Sequence, residues 1–156
     1  MVEELVALLA QQHKKIATAE SCTGGMISQM ITSVPGASVV FDCGIVAYAN
    51  EIKKNILGVR AETLEKYGAV SEQTALEMAQ GVKKLSGADY ALAVTGIAGP
   101  GGGSREKPVG TVYVGIIRPD GSEVCLFRFS GNREEIRKQT AQAALEKICH
   151  YIRAKR

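Results

Sequence analysis

"DYALAVTG", residues 89–96, is apolar from Tyr90 to Val94 without a polar interruption. An alternating strand has one wet face, but a continuous apolar run is dry on both. This stretch therefore predicts an interior strand with helices above and below its sheet. Upstream, Ser71 is a good N-cap for a helix with the stripe Ala75, Met78, Ala79, Val82 and Leu85. Downstream comes a glycine-rich loop, 96–104, then two strand-like runs joined at "RPDG" (118–121), a hairpin turn signal.

The remaining elements follow by periodicity. A helical stripe runs through Val2, Leu5, Leu8 and Leu9 over 2–13, followed by a short apolar run at 15–19. Helical spacing returns over 25–33 and is broken by "VPGA" (34–37). "SVVFDCGIVAYAN" (38–50) reads as a strand because of its β-branched and aromatic residues. Asn50 is read as the N-cap of a helix that stops at Gly58, and a second short helix stops at Gly68. The last helix starts near Asn132 and carries Ile136, Thr140, Ala144, Ile148 and Tyr151. Alternating helices and strands followed by a hairpin predict an α/β fold. The expected form is a three-layer α/β/α sandwich around a mixed, mostly parallel sheet, in one domain spanning 1–156.

Bulk chemistry excludes several functions. A hydrophobic content of 46% with 22% charge fits a globular domain with a real core. No apolar run approaches the roughly 20 residues that span a bilayer. "MVEELVALLAQQHKK" lacks the basic start and apolar block of a signal peptide, so a cytoplasmic protein is expected. A net charge of +3, without aromatic-basic interleaving, argues against nucleic acid. The densest basic cluster, "RAKR" (153–156), reads as a solvated helix end. Cysteines 22, 43, 125 and 149 form no CxxC pair and match no zinc spacing. They are expected to be free thiols, with Cys43, Cys125 and Cys149 acting as small buried hydrophobes.

"ATAESCTGG" (17–25) is a strand end running into an open corner. Thr23 is read as the cap of the helix that begins at Gly24 and Gly25, whose free amides favour a bound anion or an oxyanion. Ser21 or Cys22 sits just before this corner, placed like a nucleophile. An equally open reading has Ser21 and Thr23 merely satisfying turn hydrogen bonds. The only histidines, His13 and His150, fall at helix ends, which argues against a Ser-His-Asp arrangement. A lysine can serve as base if its pKa is lowered. Lys53, third in the helix capped by Asn50, meets the positive end of the dipole, and Tyr48 could orient its amine or relay a proton.

"TGIAGPGGGSREKPVG" (95–110) follows the buried strand and exposes backbone amides suited to an anion. It lacks the GK[ST] of a P-loop and the GxGxxG spacing of a dinucleotide site. In "GNREEIR" (131–137), Arg133 or Arg137 could pair a phosphate, and either could be a surface residue.

"AESCTGG", "GIVAYANEIKKNILGV", "GAVSEQTALEMA", "TGIAGPGGGSREKPVGTVYVGI" and "GNRE" together resemble the C-terminal domain of the CinA (competence/damage-inducible) family, which also occurs alone as nicotinamide-nucleotide amidohydrolases of the PncC type. The resemblance covers nearly the whole chain. Larger members carry a further N-terminal domain resembling molybdopterin-binding proteins, with no counterpart in these 156 residues. The resemblance implies deamidation of nicotinamide mononucleotide to nicotinate mononucleotide and ammonia, in pyridine nucleotide salvage. It implies a serine-lysine hydrolase without metal or cofactor: Ser21 the nucleophile, Lys53 the base assisted by Tyr48, and the backbone of Thr23, Gly24 and Gly25 the oxyanion donors. Substrate contacts carried over by it are Glu20, Asn50, Thr95, Gly96, Ala98, Gly99, Gly101 and Arg133. The expected partners are the mononucleotide, which the resemblance implies, and further copies of the chain; charge and hydropathy argue against nucleic acid and membrane.

Two rivals stand beside this. One is a nucleotide-binding or protein-interaction module without turnover. The other is a cysteine hydrolase using Cys22.

Overall fold

Along β1 (Ile16–Glu20) and β3 (Tyr90–Gly96), residue size alternates as strictly as side-chain direction. Ile16, Tyr90, Leu92 and Val94 point to one face; Ala17, Ala19, Ala91 and Ala93 point to the other. The large side chains fill the space beneath three helices, α1 (Val2–Gln11), α2 (Met26–Thr32) and α6 (Arg133–Ala154). The alanines let a single helix, α5 (Glu72–Ser86), lie close on the opposite face. At Gly115 the approach is closest: a Cβ there would stand 2.6 Å from the Ala75 carbonyl oxygen of α5. A bulkier residue at Ala91 or Ala93 would lift α5 off the sheet, at about 1–3 kcal/mol.

The computed structural model describes residues 1–155. The sheet has five strands in the order β2-β1-β3-β4-β5, with β2 at Phe41–Val46, β4 at Thr111–Arg118 and β5 at Gly121–Arg128. β1 pairs in parallel with both β2 and β3, while β3–β4 and β4–β5 are antiparallel, so only β4 runs against the rest. Two short helices, α3 (Asn50–Asn55) and α4 (Ala61–Tyr67), connect β2 to α5. The mixed α/β architecture expected from the sequence is the one observed. After β1 the chain goes first to β2 on one side, then crosses to β3 on the other. The carboxyl ends of β1 and β3 therefore flank a topological switch point, where crevices form in such sheets.

Several local expectations shift. The strand expected over 38–50 is β2 alone; Gly36 takes φ 88° and opens a 3-10 turn at Ala37–Val39 instead. Leu85, placed on the buried stripe of α5, is exposed. Ser71 does cap α5, accepting from the Thr74 amide at 3.1 Å. Asn132 and Glu135 form a reciprocal capping box at the start of α6. In the basic tail, Arg153 is an ion-pair partner of Glu4 rather than a solvated end, and Arg156 lies outside the described residues. All four cysteines are free; Cys22 and Cys149 are buried, Cys43 and Cys125 half-buried.

Candidate active site

The corner after β1 is built on a buried carboxylate. Glu20, pointing to the α2 side, accepts from the Ile27 amide at 2.8 Å and the Ser28 amide at 3.0 Å. It also accepts from Thr23 Oγ1 at 2.6 Å and Ser28 Oγ at 2.8 Å. The first amides of α2 are thus taken by Glu20, not by Thr23, and are not available to an oxyanion. The helix cap is Gly25 at φ 107°. Within the turn, the Gly24 amide donates to the Ser21 carbonyl at 3.1 Å. Among the described residues, no other residue accepts from the amides of Cys22, Thr23 or Gly25.

Lys53 is the largest fully buried side chain, 1% exposed. Its Nζ lies 2.9 Å from Ser21 Oγ and donates to the Tyr48 carbonyl at 2.9 Å. Burial pulls its amine below the ordinary lysine value, with Cys22 weakly opposing. α3 begins one residue later than expected: Ala49 is its N-cap, Asn50 makes no cap bond, and Lys53 is the fourth helical residue. Desolvation, rather than the end of this six-residue helix, is what favours the neutral amine. Burial also pushes the adjacent Cys22 thiol up to about 11, its own amide opposing and the Glu20 charge adding to the rise.

α6 ties the surrounding loops together with two arginines one turn apart. Arg137 donates from Nε to the Cys22 carbonyl and from Nη2 to the Thr23 carbonyl, both at 3.1 Å. Arg133 donates to the Gly99 carbonyl at 2.7 Å and to the Tyr48 hydroxyl at 3.0 Å. Between these parts lies a cleft of about 220 Å³, with Ser21, Cys22 and Tyr48 on one side and the loop from Gly96 to Gly102 on the other. Ligand pockets commonly enclose roughly 300–1,000 Å³, so this cleft suits one ring and its substituent, with the rest of a larger ligand outside.

The cleft gathers Ser21, Tyr48, Gly96, Ala98, Gly99, Gly101 and Arg133 from the expected set. It does not gather the other carried-over contacts. Glu20 is sealed beneath α2, and Asn50 is exposed away from the lining. Thr95 is buried and donates to the Ala69 carbonyl at 2.7 Å. Tyr48 meets the lysine through its carbonyl, not its hydroxyl. His13 and His150 are exposed and outside the cleft. Arg137's clamp on two carbonyls was hidden in the sequence; its only signal was the one-turn spacing from Arg133. No metal-binding group of acids, histidines and cysteines occurs among the described residues.

A match to the CinA C-terminal domain family covers residues 1–152. The chain belongs to the CinA C-terminal domain family. A CinA-like protein of Thermotoga neapolitana is 52% identical over 98% of this chain, and a putative competence-damage inducible protein of Acetivibrio thermocellus is 55% identical over 93%. The chain spans 37% and 35% of the lengths of these two relatives. Among solved structures, the competence/damage inducible protein CihA of Agrobacterium tumefaciens superposes with a TM-score of 0.88 at 46% identity, covering 94% of this chain and 93% of that one. A CinA superfamily protein of Klebsiella pneumoniae gives a TM-score of 0.94 at 34% identity, covering 98% and 96%. The CinA fold therefore extends over the described chain, and none of its helices is long and apolar enough to cross a membrane.

Proposed function

We propose that this CinA-type domain hydrolyses the carboxamide of nicotinamide mononucleotide, giving nicotinate mononucleotide and ammonia, with Ser21 as nucleophile and Lys53 as base. The observation that carries the reading is the 2.9 Å contact between a buried lysine amine and the hydroxyl of Ser21, a residue that lines the cleft. A serine needs a partner that can take its proton, and a desolvated lysine with no carboxylate acting on it is one.

The neutral Lys53 amine accepts the Ser21 proton as Oγ attacks the carboxamide carbon. Charge that develops on the amide oxygen would be met by a turn amide. Of the expected three, Gly24 is spent inside the turn and Thr23 and Gly25 lie outside the cleft lining, which leaves the amide of Cys22, a lining residue with no other residue accepting from it. The C–N bond breaks, the Lys53 ammonium returns the proton to the leaving nitrogen, and ammonia departs from an acyl-serine. Water, deprotonated by the same amine, then attacks the acyl carbon; the bond to Oγ breaks, the Lys53 ammonium returns the proton to Ser21, and the product leaves as the acid, which ionises in water. Cys22 is poorly set for this role, because a thiol pushed up to about 11 stays protonated near neutrality. The phosphate would lie outside the small cleft, against the glycine-rich loop and the donors Arg133 has to spare. Four free cysteines fit a reducing, cytoplasmic setting.

Ammonia release from nicotinamide mononucleotide, nicotinamide riboside and nicotinamide tests this directly. The mononucleotide should be the best of the three. No release from any of them, by folded protein, would leave a binding module as the reading.

A further inference from the structure

Glu20 is the last residue of β1, directly before Ser21, and it is 0% exposed. Four donors converge on its carboxylate, all of them neutral: two amides of α2, Thr23 Oγ1 and Ser28 Oγ. The bonds reach both ways. Those to Ile27 and Ser28 fix the first turn of α2; the one to Thr23 fixes the far side of the turn that carries the serine. The Ser21 amide is itself held by the Val94 carbonyl at 3.1 Å. Between them, strand β3, helix α2 and the Arg137 clamp leave the turn little freedom.

We propose that Glu20 is a positioning residue: its carboxylate plugs the N-terminus of α2 and locks the turn so that Ser21 Oγ stays on Lys53 Nζ. This rests on the reading of Ser21 as nucleophile. It also accounts for a buried acid in a place that resembles a ligand site, because the carboxylate occupies the amides an incoming anion would otherwise seek. Glutamate suits the task by length and by chemistry. An aspartate is one methylene short, and a glutamine would turn its NH2 group against an α2 amide whichever way it lies. The fixed negative charge has a second effect, opposing ionisation of Cys22 beside it.

The test uses Glu20→Gln and Glu20→Asp, with Leu9→Ala as a control that loosens the core without touching the turn. Each is assayed well below its own melting temperature with nicotinamide mononucleotide. Glu20→Gln should lower kcat by about 100-fold with KM changed by less than about threefold, the signature of a nucleophile displaced by about 1 Å. Glu20→Asp should recover part of the loss, and Leu9→Ala should leave kcat within about twofold. A second readout needs no turnover: alkylation of Cys22 by iodoacetamide, read by peptide mass spectrometry against Cys149. Cys22 labelling should rise by about tenfold or more in Glu20→Gln, rise also, by less, in Glu20→Asp, which keeps the charge that opposes Cys22 ionisation, and stay low in Leu9→Ala. If the wild-type protein releases no ammonia, the activity reading fails while the labelling still decides the role of Glu20. A folded Glu20→Gln protein with wild-type kcat, or with Cys22 as protected as before, overturns the proposal. Should neither Glu20 variant fold, Thr23→Val removes a single donor, and unchanged kcat and labelling in it overturn the proposal equally.

Discussion

Two glycine-bearing segments face each other across the cleft, and they are built on opposite principles. The turn at 20–25 has Glu20, Ser21, Cys22 and Thr23 buried, and buried polar bonds hold it from three sides. The loop after β3 is exposed from Pro100 through Glu106. It is held at its ends: Arg133 takes the Gly99 carbonyl, Ser104 and Lys107 bond each other, and Lys107 Nζ reaches the Tyr67 carbonyl. A segment with many buried bonds opens only with much of the fold, whereas an exposed one adjusts locally. Under the proposed activity, the difference suits the turn to bond-making and the loop to ligand fitting. It also predicts which substitutions should strike kcat and which should strike KM.

The largest effect belongs to Ser21. Ser21→Ala should lower kcat by several orders of magnitude, since removing a covalent nucleophile commonly does so, while the melting temperature stays close to wild type. Activity within about tenfold of wild type would move the nucleophile elsewhere and break the contrast at its strongest point.

Lys53 comes next. Lys53→Arg keeps the charge but cannot deprotonate, so it should lose about as much as Lys53→Ala, roughly 10²–10⁴-fold. In the wild type, kcat/KM should rise with pH through an apparent pKa below the ordinary lysine value near 10.4, because burial favours the neutral amine. The sign carries over to stability. Between the lowered folded value and the higher unfolded one, the unfolded chain binds more protons, so stability gains with rising pH in that window. Urea midpoints of wild type relative to Lys53→Met should climb across it. A flat difference would show that the amine is charged when folded.

How much of this was legible in the sequence depended on whether a feature was local. The buried runs at β1 and β3, the hairpin at Pro119–Asp120 and the caps at Ser71 and Asn132 all carry their signals within a few residues. Ser21 and Lys53 were legible by chemistry and by resemblance, though not their 2.9 Å contact across 32 residues of chain. The sealing of Glu20 beneath α2 was not legible, because its partners lie up to eight residues on, in space above the strand rather than beside it in sequence. Tyr48 was read as orienting the lysine amine or relaying a proton; the contact is made by its carbonyl, which leaves no trace in residue type. Val39 and Val40 suggested a strand by β-propensity alone, and Gly36 at positive φ turned them into a corner.

On the loop side, the expected effect is smaller and of a different kind. Arg133→Ala removes the bonds to Gly99 and Tyr48 together with a cation at the cleft mouth. It should raise KM for nicotinamide mononucleotide by about 10-fold or more, the worth of a charge-assisted bond, with kcat changed by less than about threefold. Nicotinamide riboside has no phosphate to lose, so the gap between the two substrates should narrow. If kcat falls instead, the loop takes part in chemistry and the division of labour is wrong.

The gentlest comparison substitutes one glycine in each segment. Gly24 sits at φ 59°, where a side chain is strained, and a Cβ there would stand 3.4 Å from Arg137 Nη2, the atom that clamps Thr23. Gly24→Ala should cost about 1–2 kcal/mol of stability, and it should lower kcat because the clamp must shift. Gly101 is in ordinary backbone geometry, and a Cβ there would meet nothing within 4 Å. Alanine at Gly101 removes conformations from the unfolded chain without cost to the folded one, so stability should hold or rise by about 0.4–1 kcal/mol. Its kcat should equal that of wild type, with at most a small change in KM as the loop loses some freedom to fit. Thermal melts and steady-state kinetics on this pair are the finest test of the contrast: a Gly101→Ala protein as damaged as Gly24→Ala would mean that the exposed loop is held as tightly as the buried turn.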